Sequence, residues 1–249
     1  MLKLNLIYKI LFVIFLCISS FVFADDSVFI EEMTSQEVTE AINNGKKVVI
    51  IFSGSTEQNG SQIVLGKHNY MAHYFANAIA RELGNALVYP IFPFAPTGDP
   101  VSRSGHMAYI GSISLRDETY KSVIQDLVVS AISSGFKIIL LMGDHGDGQE
   151  QLKEVADSIN KAVQSYGVQV LYIDSIYTAV STSHADNEDA SMLMAIDHQS
   201  KLVKLINVEP LESKNTSDSN LKPSVDEGVR LNTVRIRAAV NQIKSLTSQ

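Results

Sequence analysis

Apolar and polar positions follow two rhythms along this chain. Compact runs of aliphatic, largely β-branched residues cover 47–52, 86–92, 137–142, 168–173 and 202–208, and each reads as a strand buried on both faces. Between them apolar residues return every three or four positions, which predicts helices over 35–44, 69–83, 118–134, 149–166 and 188–196. Thr34 and Glu37 have the spacing of a capping box ahead of the first helix. In 69–83, Ala72, Phe75, Ala76, Ile79 and Leu83 fall on one face and would meet a sheet, whereas His73 lies off that face and reads as solvated. A polar stretch over 209–227 with two prolines reads as a surface loop, and a last helix is expected over 230–246. Strand and helix alternate without an internal repeat, so the expected fold is a single α/β domain with a mostly parallel sheet and helices on both faces. A sheet of that kind opens its crevice at the carboxyl ends of the strands, and the chemistry is to be sought there.

The head of the chain follows neither rhythm. Lys3 and Lys9, an apolar run over 10–18 and Val22-Phe-Ala24 read as a secretory signal over 1–24, leaving residues 25–249 as the domain. The run is shorter than the roughly 20 residues of a membrane span, and Cys17 lacks the small residue that precedes a lipidated cysteine. A periplasmic or secreted protein with no membrane attachment after cleavage is therefore expected. Cleavage removes the single cysteine, so neither a disulfide nor a thiol nucleophile remains. It also takes two lysines from a chain of net charge −7, and no Lys/Arg cluster is left to neutralise phosphates, which excludes nucleic acid as a partner.

Three loops after strands carry candidate chemistry. Gly54 to His68 places Glu57, Asn59 and His68 in one glycine-punctuated loop; Glu57 reads either as a surface glutamate or as a ligand aimed into the crevice. Gly143-Asp-His-Gly-Asp-Gly148 holds His145 and Asp147. The two aspartates would repel a phosphate, so the choices are a turn rich in glycine and aspartate or an imidazole–carboxylate metal site suited to Zn, Mn or Fe. The first two loops together have the makings of one shared metal. In Ser183-His-Ala-Asp-Asn-Glu-Asp189, helix capping accounts for Asp186, Glu188 and Asp189 but not for His184, a candidate general acid or base. A serine-hydrolase reading fails, because Gly54-Ser55-Thr56 lacks the second glycine of a nucleophile elbow.

At these residues the chain resembles the creatininase (creatinine amidohydrolase) family. Gly54, Glu57, Gln58, Gly60, Leu65 and Gly66 match its Gly-x-x-Glu-Gln-His-Gly-x-His-x-Pro-Leu-Gly-x-Asp segment without a gap. His106 to Leu115 resembles His-x-x-x-x-Gly-Thr-x-Ser-Leu, and His145-Gly146 lines up with Asn-Gly-His-Gly. His184-Ala185 with Asp189 and Ser191 resembles His-Ala-Gly-x-x-Glu-Thr-Ser. The resemblance implies a metal-dependent amidohydrolase that cleaves a C–N amide bond of a small, cyclic or linear substrate, assembled as a homo-oligomer, often a hexamer. It places Glu57, His68, His145 and Asp147 at ligand positions, His184 at the catalytic histidine with Asp147 as a candidate base, and Asn59, His106 and Asp189 in supporting or substrate-binding places.

Two residues depart from the pattern. Asn59 stands where the family has histidine, and His68 where it has the aspartate that bridges two metals. An imidazole offers one lone pair and cannot bridge. The expectation is one tight divalent ion, zinc with manganese or iron as alternatives, held by Glu57, His68 and His145 with an open position, and a weakened second site at Asp147. The competing expectation is a non-catalytic periplasmic module that keeps the fold and binds a metal or a partner.

Overall fold

The run from Val48 becomes the centre of a sheet because every one of its side chains is buried. In chain order the elements are α1 (Ser35–Asn43), β1 (Val48–Ser53), α2 (Lys67–Leu83), β2 (Ala86–Val88), α3 (Asp117–Ser133), β3 (Ile138–Gly143), α4 (Gln149–Val163), β4 (Gln169–Tyr172), the short α5 (Ser175–Thr178), α6 (Asn187–Met194) and α7 (Val225–Thr247). This computed structural model describes residues 27–205 and 221–248. The segment 1–24 read as a signal therefore lies outside the described residues. All four strands are parallel in the order β2-β1-β3-β4, with Val48 to Ser53 in register with Ile138 to Gly143.

Side chains alternate across the strands, and the alternation builds two cores. Ile50, Phe52, Leu140 and Met142 pack under α2, α6 and α7. Val49, Ile51, Ile139 and Leu141 pack under α1, α3 and α4 on the opposite face. The chain leaves β1 for β2 on one side and returns to β3 on the other, so the strand order reverses between β1 and β3. The crevice of a parallel α/β sheet opens at such a point, and here it lies beyond Ser53 and Gly143.

Several expected boundaries move for identifiable reasons. The strand expected over 86–92 ends at Val88, ahead of Pro90, which has no N–H for the ladder; pairing resumes as a single parallel bridge between Ser53 and Phe92. The helix expected over 149–166 tightens after Val163 into a 3₁₀ turn over Gln164–Tyr166, before Gly167 at φ 65°. The last helix begins five residues before the expected start, capped by Ser224, whose hydroxyl accepts from Glu227 N at 3.4 Å. Lys67 and His68 belong to the first turn of α2 and not to the preceding loop. The fifth strand expected over 202–208 is corrected for 202–205. Val203 makes only one antiparallel bridge, to Ile63, because its partner is a loop and not a strand; 206–208 lie outside the described residues. Among the described residues no helix is long and apolar enough to cross a membrane.

Gly228 shows how tightly α7 is seated. A Cβ there would lie 1.9 Å from the Ser191 carbonyl oxygen and 2.9 Å from the Ala195 Cβ, and backbone cannot yield as a side-chain tip can. Gly228→Ala is expected to lower unfolding stability by about 1–3 kcal/mol, read from urea unfolding. An unchanged midpoint would mean that α6 and α7 slide apart freely.

Candidate metal centre

Glu57 reaches the crevice because β1 ends four residues earlier and the following loop is pinned along its length. Glu57 N donates to Leu65 O at 3.0 Å, Gln58 N to Ser112 Oγ at 3.0 Å, and Ile113 N to Thr56 O at 2.9 Å. Gly54 lets the start of α2 approach: a Cβ there would lie 2.1 Å from Asn69 Oδ1 and 3.0 Å from Asn69 Cα. That approach carries His68 over the end of β1. From the next strand, Asp144 N donates to Ser53 O at 3.0 Å, and the Gln149 amide bonds the carbonyls of Gly143 and His145, so Asp144 and His145 are held where β3 ends. His106 arrives on a 3₁₀ turn over Gly105–Ala108. His184 precedes Ala185, a buried residue in the left-handed region at φ 56°.

The Glu57 carboxylate is fully buried and lies among four imidazoles. His68 Nε2 is 3.1 Å from Oε1 and His145 Nε2 is 2.7 Å from Oε2. His106 Nε2 is 3.5 Å from Oε2 and His184 Nδ1 is 3.9 Å from Oε1. The other nitrogens of the first two rings are held by acceptors outside the carboxylate. His68 Nδ1 lies 2.8 Å from Asp144 Oδ2 and His145 Nδ1 lies 3.0 Å from the Asp147 carbonyl oxygen. A carboxylate and a carbonyl can only accept, so a hydrogen on each Nδ1 satisfies them, and each Nε2 meets the Glu57 carboxylate with either a proton or a lone pair.

Two lone pairs facing a carboxylate at these distances repel unless a cation lies between them, either a proton or a metal ion. Glu57, His68 and His145 present donor atoms within 4.8 Å of one another, as do Glu57, His106 and His184. Zinc bonds of about 2.0–2.1 Å put tetrahedral donors roughly 3.3 Å apart; the 3.1 Å from His68 Nε2 to Oε1 is near that spacing, and the 2.7 Å from His145 Nε2 to Oε2 would open by about half an ångström around an ion. The first set fits a divalent ion in its chemistry, its spacing and its outer hydrogen bonds.

Electrostatics favour the charged carboxylates. Burial alone would raise the Glu57 carboxyl, but with a proton on each Nε2 the hydrogen bonds from His145 and His68 outweigh it and hold the group well below the usual range. Asp144 is likewise held low against its burial, by the Arg235 charge and the His68 hydrogen bond. Burial and the Lys67 charge oppose protonation of His68, yet its bonds to Asp144 and Glu57 raise it overall. His184 is pushed down to about 4, first by burial and then by Lys67. Burial also lowers His106.

These residues line one cavity of about 220 Å³ together with Lys67, Asp144, Asp147, Tyr177, Asp189 and Arg235. Asp147 stands at its rim with an exposed side chain, and only its backbone oxygen touches His145. Asn59 is fully buried but turns away, its amide donating to Glu57 O at 2.9 Å inside its own loop. Asp189 pairs with the buried Lys67 and accepts from Ala185 N at 3.1 Å. Asp144, Arg235 and Lys67 also line the site, and no loop motif in the sequence announces them. Arg235 did leave a signal: it repeats with Leu231, Ala239 and Ile243 on the buried stripe of α7, where an unpaired charge has no place.

Comparison with known proteins places the fold in a family. The pattern of the family described as creatinine amidohydrolase matches residues 31–241. A creatinine amidohydrolase of Pseudomonas putida is 24% identical over 143 residues, which are 57% of this chain and 54% of that protein. A 3-dehydro-scyllo-inosose hydrolase of Thermotoga maritima is 23% identical over 167 residues, 65% of this chain and 49% of that protein. The chain thus spans about half the length of these curated relatives. A creatininase mutant solved in a zinc–zinc form shares the fold, with a TM-score of 0.69, 19% identity, and 88% of this chain and 98% of that one covered. With the family pattern running through nearly all of the described residues, the chain belongs to the creatininase family.

Proposed function

We propose that this chain is an exported hydrolase that opens a C–N amide bond of a small substrate, with one divalent ion, zinc by preference, held by Glu57, His68 and His145. One observation carries the reading: a fully buried carboxylate faces two imidazoles whose Nδ1 atoms are held by outer acceptors and whose Nε2 atoms turn inward, beside an open cavity. A divalent ion bound there supplies Lewis acidity toward an amide carbonyl and acidifies water. The chain's own residues supply the rest. His184, neutral at physiological pH and partly buried on the same cavity, takes a proton and delivers it to the leaving nitrogen. Asp147 at the rim is the second candidate proton acceptor. The cavity is smaller than the roughly 300–1,000 Å³ typical of drug-sized ligands, which favours a substrate of few atoms.

Three donors facing a cavity favour this reading over the non-catalytic module, since structural zinc sites are usually closed by four protein ligands. Export rests on Lys3, Lys9, the apolar run over 10–18 and Val22-Phe-Ala24. The test is metal-reconstituted activity against a panel of small cyclic and linear amides. His184→Ala is expected to keep its metal and lose about 10²–10⁴-fold in turnover. Undiminished turnover would remove His184 from the reaction, and a panel with no substrate in any metal form would return the chain to the binding-module reading.

A further inference from the structure

His68 stands where the family pattern carries an aspartate, and Asp144 stands at the glycine of Asn-Gly-His-Gly. In the fold these two departures face each other. His68 Nδ1 lies 2.8 Å from Asp144 Oδ2, and the other oxygen of Asp144 accepts from Arg235 Nη2 at 2.6 Å. Arg235 is fixed in turn. Its Nε donates to the Ile176 carbonyl at 2.6 Å, its guanidinium lies 4.5 Å from the centre of the Phe75 ring, and Nη1 is 3.9 Å from Met192 Sδ. All three polar residues are buried, at 5%, 6% and 6% exposure for Asp144, His68 and Arg235.

We infer that Asp144, anchored by Arg235, is a positioning residue that converts the substituted His68 into a metal-ligating imidazole. The reasoning is chemical. A histidine replacing a carboxylate has two tautomers and a free ring rotation, and only one arrangement presents Nε2 to Glu57. An ionised carboxylate at Nδ1 accepts and cannot donate, so it selects that tautomer and fixes the plane of the ring. A carboxylate this deeply buried stays ionised only beside a fixed cation, and Arg235 provides one from α7, 91 residues away in sequence. The negative charge that the family pattern places at position 68 is thereby kept one shell further out, where it raises the basicity of the imidazole. The Arg235–Asp144–His68–Glu57 line ties the C-terminal helix to the metal centre.

This inference rests on the metal reading of Glu57, His68 and His145, and its test separates the two. Zinc affinity of the full chain is measured by competition with a chromophoric chelator, with cobalt spectra reporting the coordination. The four proteins of the cycle are wild type, Asp144→Asn, His68→Gln and the double variant. Asp144→Asn is expected to weaken zinc about 10–100-fold in the presence of His68, and to change affinity less than about threefold in the His68→Gln background, because it acts through that ring. Equal losses in both backgrounds, or none in either, would overturn the inference while leaving the metal reading intact. A wild type without zinc affinity would overturn both. Should Asp144→Asn fail to fold because Arg235 is left unpaired, Asp144→Asn with Arg235→Gln removes both charges and is expected to show the same loss; wild-type affinity in it would overturn the inference.

Discussion

Glu57→Gln is expected to release the metal and abolish turnover while leaving the fold in place. The exchange keeps the shape of a residue with no solvent exposure, so no cavity opens beside His68 and His145. It removes the negative charge toward which four imidazoles converge. An amide oxygen is a weak ligand, and the new NH₂ points a donor at Nε2 of His68 or His145, satisfying in the metal-free protein the lone pair that a cation would otherwise need. A divalent ion then has two neutral imidazoles and no counter-charge in a buried site, where uncompensated charge is most costly. Several kcal/mol of charge stabilisation leave with the ion, and 1.36 kcal/mol is tenfold in rate, so a loss of about 10³-fold or more is expected. Metal analysis of the purified variant, urea unfolding, and turnover of whichever amide the wild type hydrolyses are the three readings. Stoichiometric zinc in Glu57→Gln would mean that the ion is held elsewhere, and the set of Glu57, His106 and His184 would fall with the first, since both share this carboxylate.

The strands were legible because a parallel sheet covered on both faces demands unbroken apolar runs, and β1 and β3 are such runs. Their helices were legible from three- and four-residue spacing. The ends of elements were not, since they depend on local partners: Pro90 interrupts a run that hydrophobicity alone would extend, and 202–205 pairs with a loop that gives it no ladder. In the site, the residues that come to light from sequence are Glu57 and His145, in glycine-punctuated loops directly after strands, and His184, which helix capping leaves unexplained. Asp144 was legible only as a charge unfit for phosphate, because its meaning comes from two partners, 76 and 91 residues distant. Lys67 sits at a position that the family pattern leaves open, and only the fold shows it buried. Asn59 fits the opposite case: the letter changed at a ligand position, and the side chain now serves its own loop.

The same distinction between a residue's letter and its partner governs stability, and Asp189→Ala is where it should be largest. Lys67 is 3% exposed and Asp189 8%, and the ammonium and carboxylate meet in the wall of the cavity. Asp189 Oδ2 also accepts from Ala185 N, which helps to hold a non-glycine residue at φ 56°, a conformation that L-residues enter only at a cost of roughly 1–2 kcal/mol. Alanine at 189 strands a buried ammonium and frees that N–H together, and breaking a buried pair on one side costs about 3–5 kcal/mol. The loss should appear in urea unfolding of the metal-free protein, where the ion's own contribution to stability is absent. Replacing both partners with apolar residues, Lys67→Met with Asp189→Leu, should recover most of it, because no charge then remains in the wall. The backbone turn at Ala185 would not recover with it, so the double variant should be stable and still impaired in turnover, His184 being the residue directly before that turn. A cost below about 1 kcal/mol for Asp189→Ala is what a solvated surface pair would give, and it would mean that water reaches Lys67 through the cavity.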